Sequence, residues 1–216
     1  IWNAAIFEEA GLDPEMPPAT WDDVVTYSKQ IKDNTGKSGF GLVARVNAGN
    51  TPFRFMPAAW AYGGGALDEA AESPTYKEVW ANNDGTKAAV QAYYDMYVRD
   101  KSVPVSALTN TQTENQAPFI AGQLGMVISH PSEYAKMNDL AKNATGADKE
   151  IADAVVENMR YGFRPEGPDR RAVVVGGSNV HVFDPSVVDG GKVDMDAAKA
   201  LIAFSTGPEW STKLAW

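Results

Sequence analysis

Apolar side chains recur every three to four positions through much of the chain and bunch into short runs in between, a pattern that predicts helices alternating with short strands. Trp21, Val24, Val25 and Ile31 form one such stripe behind Thr20, which predicts an amphipathic helix capped by Thr20. Asp22 and Asp23 fall in its first turn, where the helix dipole favours negative charge. Gly36 and Gly39 stop it, and Phe40-Gly-Leu-Val reads as a short strand. A second helix is predicted from Pro52 to Tyr62, with Thr51 as its cap, a kink at Pro57, and Gly63-Gly64-Gly65 as its end. Asp84 is read as the cap of a third, running to about Arg99, with Ala88, Ala89, Ala92, Tyr93 and Met96 as the buried stripe. Residues 113–121, 131–142, 147–158, 195–204 and those from Pro208 onward also read as helical. Residues 125–129, Tyr161-Gly-Phe, Ala172-Val-Val-Val and Val180 to Phe183 read as extended, with a turn at Glu166-Gly-Pro-Asp. This alternation implies an α/β or α+β layered fold.

Composition narrows the functional classes. The 216 residues are 44% hydrophobic and 22% charged, an ordinary globular balance. A formal net charge of −9 argues against a nucleic-acid partner, since phosphate-backbone affinity needs clustered Lys and Arg, and Arg170-Arg171 is too short a run to supply them. Cysteine is absent, so there is no thiolate site, and two histidines, His130 and His181, do not make a His-rich metal centre. No metal and no cofactor is therefore expected. No apolar run approaches the roughly 20 residues that span a bilayer. A chain beginning at Ile1 rather than Met is read as processed or cut, which leaves open a lost signal peptide.

Candidate chemistry gathers at three places. The stretch Ala117 to Pro131 runs a helix through a glycine turn into a short apolar strand. In open α/β sheets ligands lie beyond the carboxyl ends of strands, which makes Ser129, His130, Ser132 and Glu133 candidate contacts. The competing reading makes Ser132 and Glu133 the cap and first turn of the next helix. Ser, His and Glu in one short stretch superficially suggest a hydrolase, but triad members normally come from separate elements and no Gly-x-Ser-x-Gly elbow is present. Asn50, Thr51, Phe53 and Arg54 open a predicted helix, where backbone N–H groups and a guanidinium can meet a hydroxyl-rich or anionic ligand; otherwise Phe53 is core and Arg54 solvated. Gly176, Gly177 and Ser178 follow a β-branched run and allow close backbone approach, without the spacing of a phosphate loop. Six Trp and eight Tyr offer aromatic faces for sugar C–H surfaces, although most belong in the core.

Four blocks, read in order, resemble the carbohydrate-type extracellular solute-binding proteins of ATP-driven importers, the family that includes maltose-binding protein. They are Trp2-Asn-Ala-Ala-Ile-Phe-Glu-Glu-Ala-Gly-Leu-Asp-Pro with Pro17-Pro-Ala-Thr-Trp-Asp-Asp; Trp60-Ala-Tyr-Gly-Gly-Gly-Ala-Leu-Asp; Phe119 to Met126 with its strand; and Tyr161-Gly-Phe-Arg-Pro leading to Gly176-Gly-Ser. The resemblance implies a periplasmic-binding-protein-like α/β fold of which this chain is a part. Residues 1–175 would be most of the C-terminal lobe and 176–216 the hinge crossing and return into the N-terminal lobe. It implies a monomeric, non-catalytic receptor, periplasmic or extracellular and lipid-anchored, that closes on a small carbohydrate and presents it to membrane permease subunits of an ABC importer. Carried over by residue, the ligand contacts would be Thr51, Phe53 and Arg54, then His130, Ser132 and Glu133, then Gly176, Gly177 and Ser178. Ser132 stands where some relatives place a sugar-stacking Trp, a departure that weighs against maltodextrin; Arg54 and His130 would suit an acidic or phosphorylated ligand instead. The alternatives are a glycoside hydrolase, which needs two carboxylates roughly 5 to 10 Å apart across one sugar bond, and a non-catalytic protein-interaction module.

Overall fold

A computed structural model describes residues 1–67, 79–174, 181–182 and 194–207. The chain divides into two compact units, Ile1–Val174 and Val175–Trp216.

In the first unit the chain enters as β1 (Trp2–Asn3) and turns at once into α1 (Ala4–Glu9), because the Asn3 side chain accepts from Ala5 N (3.0 Å) and Ile6 N (3.3 Å) and so caps the helix. Helix α2 (Trp21–Thr35) starts at the expected Thr20, whose hydroxyl accepts from Asp23 N at 3.0 Å while the Asp23 carboxylate accepts from Thr20 N at 2.9 Å. This reciprocal capping box satisfies donors that the first turn would otherwise leave bare. It ends at Gly36, whose φ of +74° glycine adopts without a Cβ penalty.

β2 is Ser38–Phe40, two residues earlier than the apolar run predicts. Gly39 sets that register: a Cβ there would lie 2.3 Å from the Cα of Ser28, so only glycine lets the strand lie this close to α2. Ser28, fully buried, donates across the contact to Ser102 O (3.1 Å) and Ser102 Oγ (2.9 Å). Helix α3 is Asn50–Ala61, and Thr51 is not its cap: position 49 is the N-cap without a side-chain bond, and the Thr51 hydroxyl donates to Arg45 O at 2.6 Å instead. Pro57 lies inside it, buried. Helix α4 (Asp84–Tyr94) is capped by Asn83 rather than Asp84, the Asn83 side chain accepting from Thr86 N at 2.8 Å. A π-helical turn, Asp95–Arg99, continues it, and Ala89, Ala92 and Met96 are buried while Ala88 and Tyr93 are half-buried.

Helix α5 (Gln116–Ile120) is shorter than expected, because the Glu114 carboxylate accepts from both Thr111 N (2.7 Å) and Thr111 Oγ1 and fixes the preceding residues as a turn. β3 (Leu124–Met126), α6 (Pro131–Asn143), α7 (Ala147–Glu157) and β4 (Met159–Arg160) complete the unit. The sheet order among the described residues is β2-β3-β1-β4, with β2 and β3 parallel (Phe40 opposite Met126) and the other pairs antiparallel. Of the extended run expected at 125–129 only residues 125 and 126 are strand, and Tyr161-Gly-Phe is not strand. β1 begins at Trp2, which pairs with Arg160, so β4 ends there and the chain leaves the sheet before Tyr161. Residues 171–174 carry no strand.

One apolar cluster, with Phe7, Trp21, Val24, Ile31, Phe40, Leu42 and Met96, sits between α2, α3, α4 and the sheet. A second, with Phe119, Leu124, Met137, Val155 and Met159, sits under α5, α6 and α7.

In the second unit α8 (Met195–Ser205) begins where the sequence predicts, capped by Asp194, which accepts from Asp196 N and Ala197 N. Residues 181 and 182 are not strand, and the rest of that expected strand, like the helix from Pro208, lies outside the described residues.

Candidate functional site

The carboxyl end of β3 is where a strand, a helix start and the segment leaving β4 converge. Beyond Met126 the backbone of Val127 still pairs with Ile1, donating to Ile1 O at 2.9 Å. The chain then turns out of the sheet through Ser129 and His130, and Pro131 opens α6 as its first residue. His130 occupies the N-cap position without a side-chain cap bond, so Ser132 and Glu133 fall within the first turn and Ser132 is not the cap. Ser132 is exposed, and its Oγ lies 2.9 Å from Nδ1 of His130.

His130 lines a groove of about 440 Å³ together with Ile1, Ser129, Tyr134, Tyr161 and Gly162, whereas Ser132 is not part of that lining. Tyr134 stands one turn into α6 and Tyr161 just past β4, and their rings meet edge to face, 5.1 Å between centroids at 87°. Burial and the adjacent phenol of Tyr134 hold the Tyr161 hydroxyl protonated well above the usual tyrosine range. The groove therefore offers aromatic faces that stay partly exposed, the neutral Tyr161 hydroxyl, and an imidazole, the mixture that suits a ligand with apolar C–H faces and a rim of hydroxyls.

A second cavity, about 90 Å³, shares the Ile1, Ser129 and Gly162 wall and runs inward between Trp2, Pro17, Phe40 and Phe163 to the side chain of Arg164. Arg164 is half-buried, and burial, then repulsion from Arg54, lowers its pKa to about 10.

The predicted contacts on α3 are placed differently from one another. Phe53 is 38% exposed whereas Arg54 is only 5% exposed, the reverse of the core Phe and solvated Arg that residue preference favours. Successive side chains on a helix are turned by about 100°, which lets Phe53 face out while Arg54 takes the inner side, where its charge reaches Tyr93 and Arg164. Neither Thr51, Phe53 nor Arg54 is part of the lining of the groove at His130. Gly176, Gly177 and Ser178 lie outside the described residues. Among the described residues no group of three or more His, Cys, Asp or Glu is placed to hold a metal, and no helix is long and apolar enough to cross a membrane.

Sequence reasoning passed over Tyr134, Tyr161 and Arg164. A signal existed for Tyr134, which lies four residues after His130 and so one helical turn along the same side. Arg164 carried none, because its surroundings come from α3, α4 and the β3 end.

The family described as bacterial extracellular solute-binding protein matches residues 1–212. A Sinorhizobium fredii protein, named "Probable amino-acid ABC transporter periplasmic-binding protein", is 24% identical over 97% of this chain and 41% of its own length. The sn-glycerol-3-phosphate-binding periplasmic protein of Shigella flexneri is 46% identical over a shorter stretch, 18% of this chain and 9% of its own. Among solved structures, maltose-bound MalE3 of T. maritima superposes with a TM-score of 0.67 at 20% identity, over 97% of this chain and 48% of that one. The shared fold is the periplasmic-binding-protein-like α/β fold, and the chain spans about half the length of these full-chain matches.

Proposed function

Because the chain belongs to the bacterial extracellular solute-binding protein family, we propose that it is part of the receptor of an ABC importer that captures a small carbohydrate in a cleft between two lobes. The family is one of periplasmic or extracellular proteins, and the protein works on that side of the membrane. In this reading residues 1–175 form most of the C-terminal lobe and 176–216 cross the hinge, and the boundary between compact units after Val174 supports that division. The observation that carries the reading is the Tyr134–Tyr161 edge-to-face pair beside His130 and Ser132, opening the groove at the end of β3. It supplies an aromatic platform although Ser132 stands where some relatives carry a stacking Trp. The maltose of the T. maritima protein and the glycerol phosphate of the Shigella protein are both rich in hydroxyls, which agrees with such a platform. Thr51, Phe53, Glu133, Gly176, Gly177 and Ser178 belong to the proposal as further contacts, the permease subunits as its partners, and a monomer as its working state.

The test uses the complete gene product that carries this chain, titrated with a panel of mono- and disaccharides by calorimetry and thermal melting. A bound sugar at a hundred times its Kd should stabilise the protein by about 2.7 kcal/mol. Tyr161→Ala should weaken the binding by about tenfold, within the ~0.5–1.5 kcal/mol typical of an aromatic pair. Release of a cleaved product from labelled oligosaccharides would replace the receptor by a hydrolase, and unchanged affinity in Tyr161→Ala and Tyr134→Ala would remove the groove as the site.

A further inference from the structure

We propose that the small cavity beside the tyrosine groove is an anion subsite, in which the Arg164 guanidinium receives a carboxylate or phosphate group carried by the solute. The inference rests on the solute-receptor reading and adds the charge class of the ligand.

The arginines near the surface of the first unit are paired. Arg45 faces Glu114, Arg99 faces Asp95 and Asp100, Arg160 faces Glu15, Arg170 faces Asp169 and Arg171 faces Glu166. Arg164 is different: among the described residues it makes no hydrogen bond and no ion pair, although it is half-buried. The walls around it, Trp2, Pro17, Phe40 and Phe163, are apolar, and Ser129 contributes one hydroxyl. The groups whose charge reaches it are Arg54 on α3, which repels it, and Tyr93 on α4, whose phenol burial holds neutral. Among the described residues no carboxylate is one of them. Even with its pKa lowered to about 10, Arg164 stays ionised at neutral pH.

A guanidinium partly withdrawn from water, with no partner among the described residues and with apolar side chains beside it, is a site where an anion is worth more than it would be at the open surface. The planar fork of N–H donors matches carboxylate and phosphate oxygens in pairs. The two cavities share the Ile1, Ser129 and Gly162 wall, and about 440 against about 90 Å³ assigns the sugar body to the tyrosine groove and the smaller head group to the Arg164 side.

The experiment is calorimetric titration of the complete gene product with glucose, glucuronate, glucose 6-phosphate and inorganic phosphate at low and moderate salt. At least one of the two charged sugars should bind tenfold or more tightly than glucose, with glucuronate alone marking a carboxylate site and glucose 6-phosphate alone a phosphate site. Arg164→Gln should erase that preference, Arg164→Lys should restore part of it, and added salt should weaken the charged sugar and not glucose. The unliganded Arg164→Gln protein should melt no lower than wild type, since no bond is lost and the repulsion from Arg54 is removed. A drop in its melting temperature would assign Arg164 a structural role and overturn the subsite, as would a preference that survives the substitution. If glucose binds through Tyr161 and the charged sugars gain nothing, the receptor reading stands and the anion subsite falls. If none of the four probes binds, the subsite falls, and the wider sugar panel decides separately on the receptor.

Discussion

Arg99 and Asp100, adjacent at the end of the π-helical turn, show how one charged pair ties stability to pH. Arg99 Nε and one terminal nitrogen donate to the two Asp100 carboxylate oxygens at 2.8 and 2.7 Å, and the Asp100 side chain is only 4% exposed. The hydrogen bonds from Arg99 outweigh burial and hold the Asp100 carboxyl below the usual carboxylate range. A depressed folded-state pKa stabilises at pH values above the unfolded value of about 3.9 and is lost as pH falls through the folded value. Asp100→Asn should therefore melt below wild type at pH 7, and the gap should close as melts are repeated below about pH 4. A gap of the same size at pH 2 would show that the carboxylate charge is not the source. At this scale the sequence grouped His130 and Ser132 in one strand-end loop, but did not show the 2.9 Å approach of Ser132 Oγ to His130 Nδ1, which depends on the turn between them. The inversion of Phe53 and Arg54 was not legible either, because it depends on which side of α3 packs against α4.

Helix boundaries follow from how the first turn satisfies its donors, and here the sequence is most informative. Thr20 with Asp23 reads directly as a capping box, and both bonds form. Thr20→Ala should cost about 0.5–2 kcal/mol, measured as a lower urea midpoint with an unchanged slope; a neutral result would mean that the bridge from Thr20 to Glu166 and the tertiary packing fix the helix start without the cap. Asp84 and Thr51 were misread as caps for the same physical reason. Asn83 and Asp84 are both competent, and the choice falls to Asn83, whose backbone is extended (φ −110°, ψ 166°) and whose side-chain Oδ1 accepts from Thr86 N. Thr51 has a better partner in Arg45 O. Strand limits were less legible than helix limits, since β4 ends at Arg160 where its partner β1 begins at Trp2, more than 150 residues away.

At the scale of the molecule, the four sequence blocks that carry the resemblance lie in one chain matched to the solute-binding family over residues 1–212. A receptor that closes on its solute should become more compact. Small-angle scattering of the complete gene product should give a smaller radius of gyration with the bound sugar than without it, and an identical radius at saturation would argue against hinge closure. What the sequence determined by itself is local or repetitive: the helical stripes, the capping box at Thr20, the glycine stop at Gly36, and the ordered motifs of the family. Each is decided by residues within about a turn of one another, or by patterns that survive without knowing the packing. Tertiary structure alone decided that Tyr134 and Tyr161 meet edge to face, that Gly39 sets β2 against Ser28, and that Arg164 stands beside apolar side chains with no carboxylate partner among the described residues. Those outcomes depend on chain segments far apart in sequence arriving at one place, and burial, charge and pairing are properties of that place rather than of any residue in it.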